Sequence, residues 1–226
     1  VPMALAALLC LHAGARLLRQ ANAGNAFELA LGLAIGALSH YRFIGVIVVG
    51  FLALLLMPRG RRLLADSRVW VALSVGIVAW LPLLAWDASN HDAGLRFQLL
   101  ERHPWQFHLE GLGFALIQPM MVTPLLFVLI GLVAWRGSRA TDWGVQGRYF
   151  ALIGGISTLL IFVLGFFTDV ERISFHWPLP GYLALLVGAP VVLAAWSRRW
   201  QRGVWFTVAA GFLLGLGYYA MAASPA

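Results

Sequence analysis

Four adjacent residues, Ser39-His40-Tyr41-Arg42, place a hydroxyl, an imidazole, a phenol and a guanidinium in one turn between two apolar runs. A guanidinium fork binds phosphate oxygens bidentately, and a basic turn at a lipid surface suits an anionic headgroup. The plainer reading is a helix–helix turn whose polar residues reach water. A second cluster reads Asp169-Val170-Glu171-Arg172-Ile173-Ser174-Phe175-His176-Trp177-Pro178. It sets acids, a cation and an imidazole beside an aromatic ring, a mixture suited to sugars. A solvated loop with a Trp at the membrane belt would look the same. The third is the polar stretch 87–110, with Asp87, Asp92, Glu101 and Glu110 beside His91, His103 and His108. Asp87, His91 and Asp92 have the residue types to shape an acceptor site or to hold a divalent cation.

Other chemistries lack their residues. There is no His-Glu-x-x-His zinc motif and no Gly-x-Ser-x-Gly nucleophile turn. A phosphate loop needs its lysine, and the chain has none: all sixteen basic residues are arginine. Gly32 and Gly36 form a Gly-x-x-x-Gly pair, which more often serves close helix packing than chemistry.

The elements that must hold these clusters follow from composition. The chain has 226 residues, 61% of them hydrophobic and 11% charged, with a mean hydropathy of +0.83. So few charges could not cover a water-facing surface, which excludes a soluble domain and a disordered chain. One cysteine, Cys10, excludes a disulfide scaffold. The apolar stretches are long and continuous, unlike the alternation of an outer-membrane barrel. An all-α, polytopic transmembrane bundle remains, organised as a single domain over 1–226.

Apolar runs between charged clusters predict about eight spans: 1–18, 26–39, 42–57, 69–86, 111–135, 149–168, 178–196 and 204–222. Val1 opens within an apolar helix and is not methionine, so the reading expects a fragment that lacks an earlier span and the first outer loop. The net charge of +7 would suggest nucleic acid in a soluble chain; here no nucleic-acid partner is expected, because the arginines mark topology. If the chain breaks at 39–42, its loops alternate sides cleanly. One side then carries Arg16, Arg19, Arg59, Arg61, Arg62, Arg68, Arg136, Arg139, Arg148, Arg198, Arg199 and Arg202. The other carries Arg42, Arg96, Arg102 and Arg172. The richer side is cytoplasmic by the positive-inside rule. A single helix over 26–57 would spoil that pattern. The outer side then holds the turn at 39–42, the long loop 87–110 and the short loop 169–177. Six of the nine acids and five of the six histidines fall there. Within the long loop, 93–102 is expected to form a surface helix with Leu95, Phe97 and Leu99 toward lipid, ended by Pro104.

Three strings in order resemble one family. They are Gly32-Leu33-Ala34-Ile35-Gly36-Ala37-Leu38-Ser39-His40-Tyr41, then Trp86-Asp87-Ala88-Ser89-Asn90-His91-Asp92 followed by Arg96-Phe97-Gln98-Leu99, and His176-Trp177-Pro178-Leu179-Pro180-Gly181-Tyr182-Leu183. Their order and spacing are similar to bacterial members of the dolichyl-phosphate-mannose-protein mannosyltransferase superfamily. His40 stands where that family has lysine, and Asp87 where it has asparagine. The resemblance implies a partial C-type glycosyltransferase fold in the bacterial inner membrane, with its active face periplasmic or extracellular. It implies a polyprenyl-phosphate sugar donor and a lipid, glycan or protein acceptor. It also implies a catalytic Asp or Glu in the first outer loop, upstream of Val1, with Pro2 as the proline of an Asp-x-Pro.

On that reading His40, Arg42, Arg172 and His176 would steady the donor phosphate. Asp87, His91 and Asp92 would line the acceptor side or support a divalent cation. A transporter or flippase of an anionic lipid-linked sugar would use the same cations, but needs polar residues continuing to mid-membrane. A degenerate structural subunit is the third reading. The orientation is testable directly. With Cys10 replaced by alanine, a cysteine at position 89 is expected to react with an impermeant maleimide in intact cells. One at position 138 should react only after permeabilisation, and the reverse pattern overturns the orientation.

Overall fold

The computed structural model describes residues 2–97, 100, 105–139, 142–168 and 174–223. The protein is 84% helical, with no strand among the described residues. In hydrocarbon every backbone N–H and C=O needs an internal partner, and an α-helix supplies them all locally. The order is α1 (Pro2–Arg19), α2 (Ala23–Ser39), a 3-10 turn (Tyr41–Phe43), α3 (Ile44–Leu55), α4 (Pro58–Leu64), α5 (Ser67–Ser89) and α6 (Ala93–Arg96). There follow α7 (Gly111–Val122), α8 (Pro124–Arg139), α9 (Gly144–Gly165), α10 (Leu179–Leu186), α11 (Ala189–Ala194) and α12 (Arg198–Ala223).

Small residues set the packing. On α1, Ala6, Ala7, Cys10, Ala13, Gly14 and Leu17 recur at three- and four-residue spacing and are buried; this is one stripe of a helix. Against it lies α2. A Cβ on Gly32 would stand 2.9 Å from Cys10 Sγ, and Gly36 lies against the Phe43 ring. The Gly-x-x-x-Gly pair therefore packs helix and turn, as its spacing suggests. On the next face, a Cβ on Gly76 of α5 would stand 2.9 Å from Leu33 Cβ. Between α9 and α10, one on Gly154 would come within 2.7 Å of Gly181 O. Three apolar cores result among the described residues, and Ala6, Cys10, Leu33, Phe43 and Ala72 form the one between α1, α2 and α5. Another joins α1, α3 and α9 through Leu17, Val49, Ala53 and Tyr149. The third joins α8, α10 and α11 through Leu129, Val133, Tyr182, Leu185 and Val192.

The expected break at 39–42 is present. His40 leaves the helix with φ −172°, and its Nδ1 accepts the Arg42 N–H. Opposite that break, the arginine-bearing ends gather. Arg68 donates to Ala21 O, and Gln146 at the start of α9 donates to Ala15 O at 3.0 Å. The end of α1 and the starts of α5 and α9 thus share one end of the bundle. Asn22 begins α2 by accepting the Asn25 N–H, and Asp66 begins α5 by accepting that of Arg68, as N-caps do.

Fewer long spans are present among the described residues than the eight expected. Among the described residues, α1, α5, α9 and α12 are long and apolar enough to cross a membrane, and α7 with α8 would make a fifth if counted as one. The predicted span 111–135 bends by 109° between α7 and α8. Pro124 disfavours helical backbone in the residue before it, and Thr123 sits at φ 70°, ψ 139°. The predicted span 178–196 divides into α10 and α11 at Gly188, with Pro190 in the first turn of α11. At 1.5 Å per residue, the twelve residues of α3 reach about 18 Å, short of a roughly 30 Å hydrocarbon core. The predicted surface helix is described only as α6, with Phe97 and Leu100 exposed; Leu99 and Pro104 lie outside the described residues.

Replacing Gly32 with leucine is expected to cost about 1–3 kcal/mol by overpacking against Cys10, read as a lower melting temperature in detergent. Gly211→Leu on α12, where a Cβ meets nothing within 4 Å, should leave it unchanged. Equal effects would overturn the packing account.

Candidate functional site

The turn after α2 is held from within. His40 Nδ1 accepts the Arg42 amide at 3.1 Å, so that nitrogen must be unprotonated for the bond to exist. A protonated His40 would lose this cap, which sets its expected role as a cation on phosphate against its structural one. The Arg42 guanidinium lies 4.3 Å from the centre of the Trp177 ring, a cation–π contact. The first and second sequence clusters therefore meet, through Trp177 rather than through His176. His176 is exposed one residue away, and its carbonyl accepts from Leu179 N at 3.0 Å. Arg172 lies outside the described residues, as do Glu101, Arg102, His103, Asp169 and Glu171.

The segment carrying Trp177 is anchored by a buried polar pair. Gln118 of α7 is fully buried. Its Nε2 donates to Phe175 O at 3.3 Å, and its Oε1 accepts from the Tyr182 hydroxyl at 3.1 Å. Aromatic contacts extend this wall. Phe114 stacks on Phe175 with centroids 6.4 Å apart, and Phe107 on Phe166 at 5.7 Å. His108 Nε2 bonds Thr168 O at 2.7 Å, tying the stretch before α7 to the end of α9.

Asp87 differs most from expectation. It belongs to the last turn of α5, not to a loop, and is 0% exposed. Its carboxylate accepts the Gly94 amide at 2.6 Å and the Leu95 amide at 3.2 Å. Its own carbonyl accepts from Asn90 and Asp92 N–H groups, both at 2.9 Å. A Cβ on Gly94 would stand 2.7 Å from Asp87 Oδ1 and 2.8 Å from the Tyr41 hydroxyl oxygen, so only glycine fits between them. Tyr41 lies between His40 and Arg42, and Asp87 thereby fixes the 90–97 stretch onto the cationic turn.

This arrangement separates the expected set of Asp87, His91 and Asp92. Asp87 spends its oxygens on backbone amides, while His91 and Asp92 are exposed on a tight turn with φ 58° and 55°. Among the described residues, no three His, Cys, Asp or Glu side chains gather around a metal-sized site. Beside the turn a cleft of about 580 Å³ is lined by Pro2, Met3, Ile35, Leu38, Ser39 and His40. The first turn of α1 and the cationic turn thus share one space. A guanidinium fixed on an indole in the turn beside that cleft can hold an anionic oxygen; the aromatic wall can hold a sugar face.

The chain is similar to a lipid A galacturonosyltransferase. It is 24% identical over 193 residues to RgtD of Rhizobium johnstonii, across 83% of the chain. It spans 38% of that relative's length. No known protein family and no solved structure matches it. The likeness is to a glycosyltransferase, and the apolar helices are those of a membrane protein.

Sequence reading missed three features. Gln118 and Tyr182 look like single polar residues in apolar runs, and only the fold pairs them. Asp87 looked like loop polarity, although Trp86 and the apolar run before it continue a helix. His12 bonds Glu28 across α1 and α2, and folding that hairpin at 20–22 on paper would have set the two side by side. Asp87→Ala should release the Gly94 and Leu95 amides. A bond to a charged group is worth about 1.5–3 kcal/mol, so their hydrogen exchange should rise roughly 10- to 100-fold while α1 and α2 stay protected. Unchanged exchange at both amides overturns the anchoring role.

Proposed function

We propose that the protein takes part in moving a sugar from a polyprenyl-phosphate-linked donor to a lipid acceptor at the extracytoplasmic face of the bacterial inner membrane. The observation that carries this reading is the Arg42–Trp177 contact, two residues along the chain from His40, which lines the cleft shared with Pro2. It places a fixed cation and an aromatic face together at one end of apolar helices. The likeness to an enzyme named for lipid A supports a lipid acceptor ahead of a glycan or a protein. The three sequence strings support the polyprenyl-phosphate donor and the narrower mannosyltransferase-like family.

In the transfer, an acceptor hydroxyl oxygen bonds the sugar C1 as the bond from C1 to the phosphate oxygen breaks. The hydroxyl proton passes to a carboxylate, and the electron pair leaves with the phosphate. Arg42 meets the charge that grows on that phosphate, and His176 and Arg172 are proposed to add to it. Asp87 acts indirectly, holding the 90–97 stretch against Tyr41, where it would exclude water as a lid does.

With the intact protein in membranes and a labelled polyprenyl-phosphate sugar, Arg42→Ala should lower transfer about 10²-fold or more, as loss of one charge-stabilising donor does. Arg42→Lys should restore part of it. Unchanged transfer when Arg42 and His176 are both alanine would sink these roles. The second reading, a flippase for a lipid-linked sugar, gains support from the His12–Glu28 bond, since polar pairs between spans mark translocation paths. Donor crossing proteoliposomes intact, with no sugar transferred, would favour it.

A further inference from the structure

The start of α12 carries a second cationic cleft, away from the turn at His40. Its volume is about 650 Å³, and its walls include Trp196, Ser197, Arg198, Gln201, Arg202 and Trp205. Arg198 and Arg202 are four residues apart, so they lie on one face of the helix. Gln201 braces the wall, its Nε2 donating to Leu193 O at 3.1 Å and Trp196 O at 3.0 Å. This fixes the elbow between α11 and α12, and with it the spacing of the two indoles.

Among the described residues no acid pairs with this charge. The first turn of α12 contains no acid, and no acidic residue follows Glu171 in the chain. Cations at the start of a helix also oppose its dipole, so this end of α12 favours an added anion twice over. Beyond the arginines α12 is apolar and buries only Val204, with Phe206, Phe212 and Leu214 exposed. Such a helix borders lipid tails, and its tryptophans sit at headgroup depth.

We propose that this cleft binds the phosphate of an anionic phospholipid headgroup. Arg198 and Arg202 grip the phosphate oxygens, Trp196 and Trp205 flank the glycerol region, and the acyl chains run along the exposed face of α12. The site is independent of sugar transfer. It commits to a lipid because an apolar helix face continues directly from the cationic cleft, which a free phosphate would leave unused.

The test is native mass spectrometry of the intact protein in detergent, titrated with phosphatidylglycerol or with phosphatidylcholine of the same chains. The wild type should retain phosphatidylglycerol preferentially. With about fivefold in affinity per interfacial arginine, Arg198→Gln with Arg202→Gln should weaken that retention at least tenfold. Arg61→Gln with Arg62→Gln removes the same charge elsewhere and should change it little; equal loss in both double variants overturns the proposal. Melting temperatures of the variants without lipid exclude a folding defect, and Trp205→Ala should weaken retention with every arginine in place. Displacement of the lipid by millimolar inorganic phosphate would show a free-phosphate site and overturn the lipid assignment.

Discussion

The absence of water inside a bilayer governs this structure. A helix there can stop only where something replaces its lost backbone partners. The chain answers differently at each stop. His40 offers a ring nitrogen to Arg42 N. Asp87 offers a carboxylate and a carbonyl to four amides of the following turn. The groups that end these helices are spent on backbone amides, and they set in place the neighbouring side chains from which the candidate site is assembled.

The same constraint separates two kinds of polar residue. Asp87 and Gln118 are fully buried and spend their hydrogen-bonding capacity on the protein itself. Arg42 and His176 stand where those anchors hold them. Asp87 holds the 90–97 stretch beside Tyr41; Gln118 holds Phe175, two residues from Trp177. A site of this type has few groups for chemistry and many for placement.

How much was legible depended on range. Local signals read well: the break at His40, the small face of Gly32 and Gly36, and the gathering of arginine-bearing ends around Ala15, Ala21 and Arg68. Hydropathy does not show a break inside an apolar run. Residues 111–135 look like one span, and the preference of Pro124 for extended backbone before it turned out to outweigh the apolar pattern. The meeting of Arg42 with Trp177 was beyond spacing arguments altogether, since nothing local says which loops share an end of the bundle. Asp87 showed the opposite error, in which a polar residue was assigned to solvent although its neighbours continue a helix.

The contact between Arg42 and Trp177 also has a bearing on biosynthesis. The two residues leave the ribosome far apart in time, on the order of ten seconds at ordinary elongation speeds. Until α9 and α10 have entered the membrane, Arg42 has no indole to rest on and Phe175 no carbonyl to offer Gln118. A half-made chain thus carries its basic turn without the wall opposite it. Assembly of the pocket reports that insertion has reached α10, and nascent chains stalled earlier would reach the bilayer without a finished pocket.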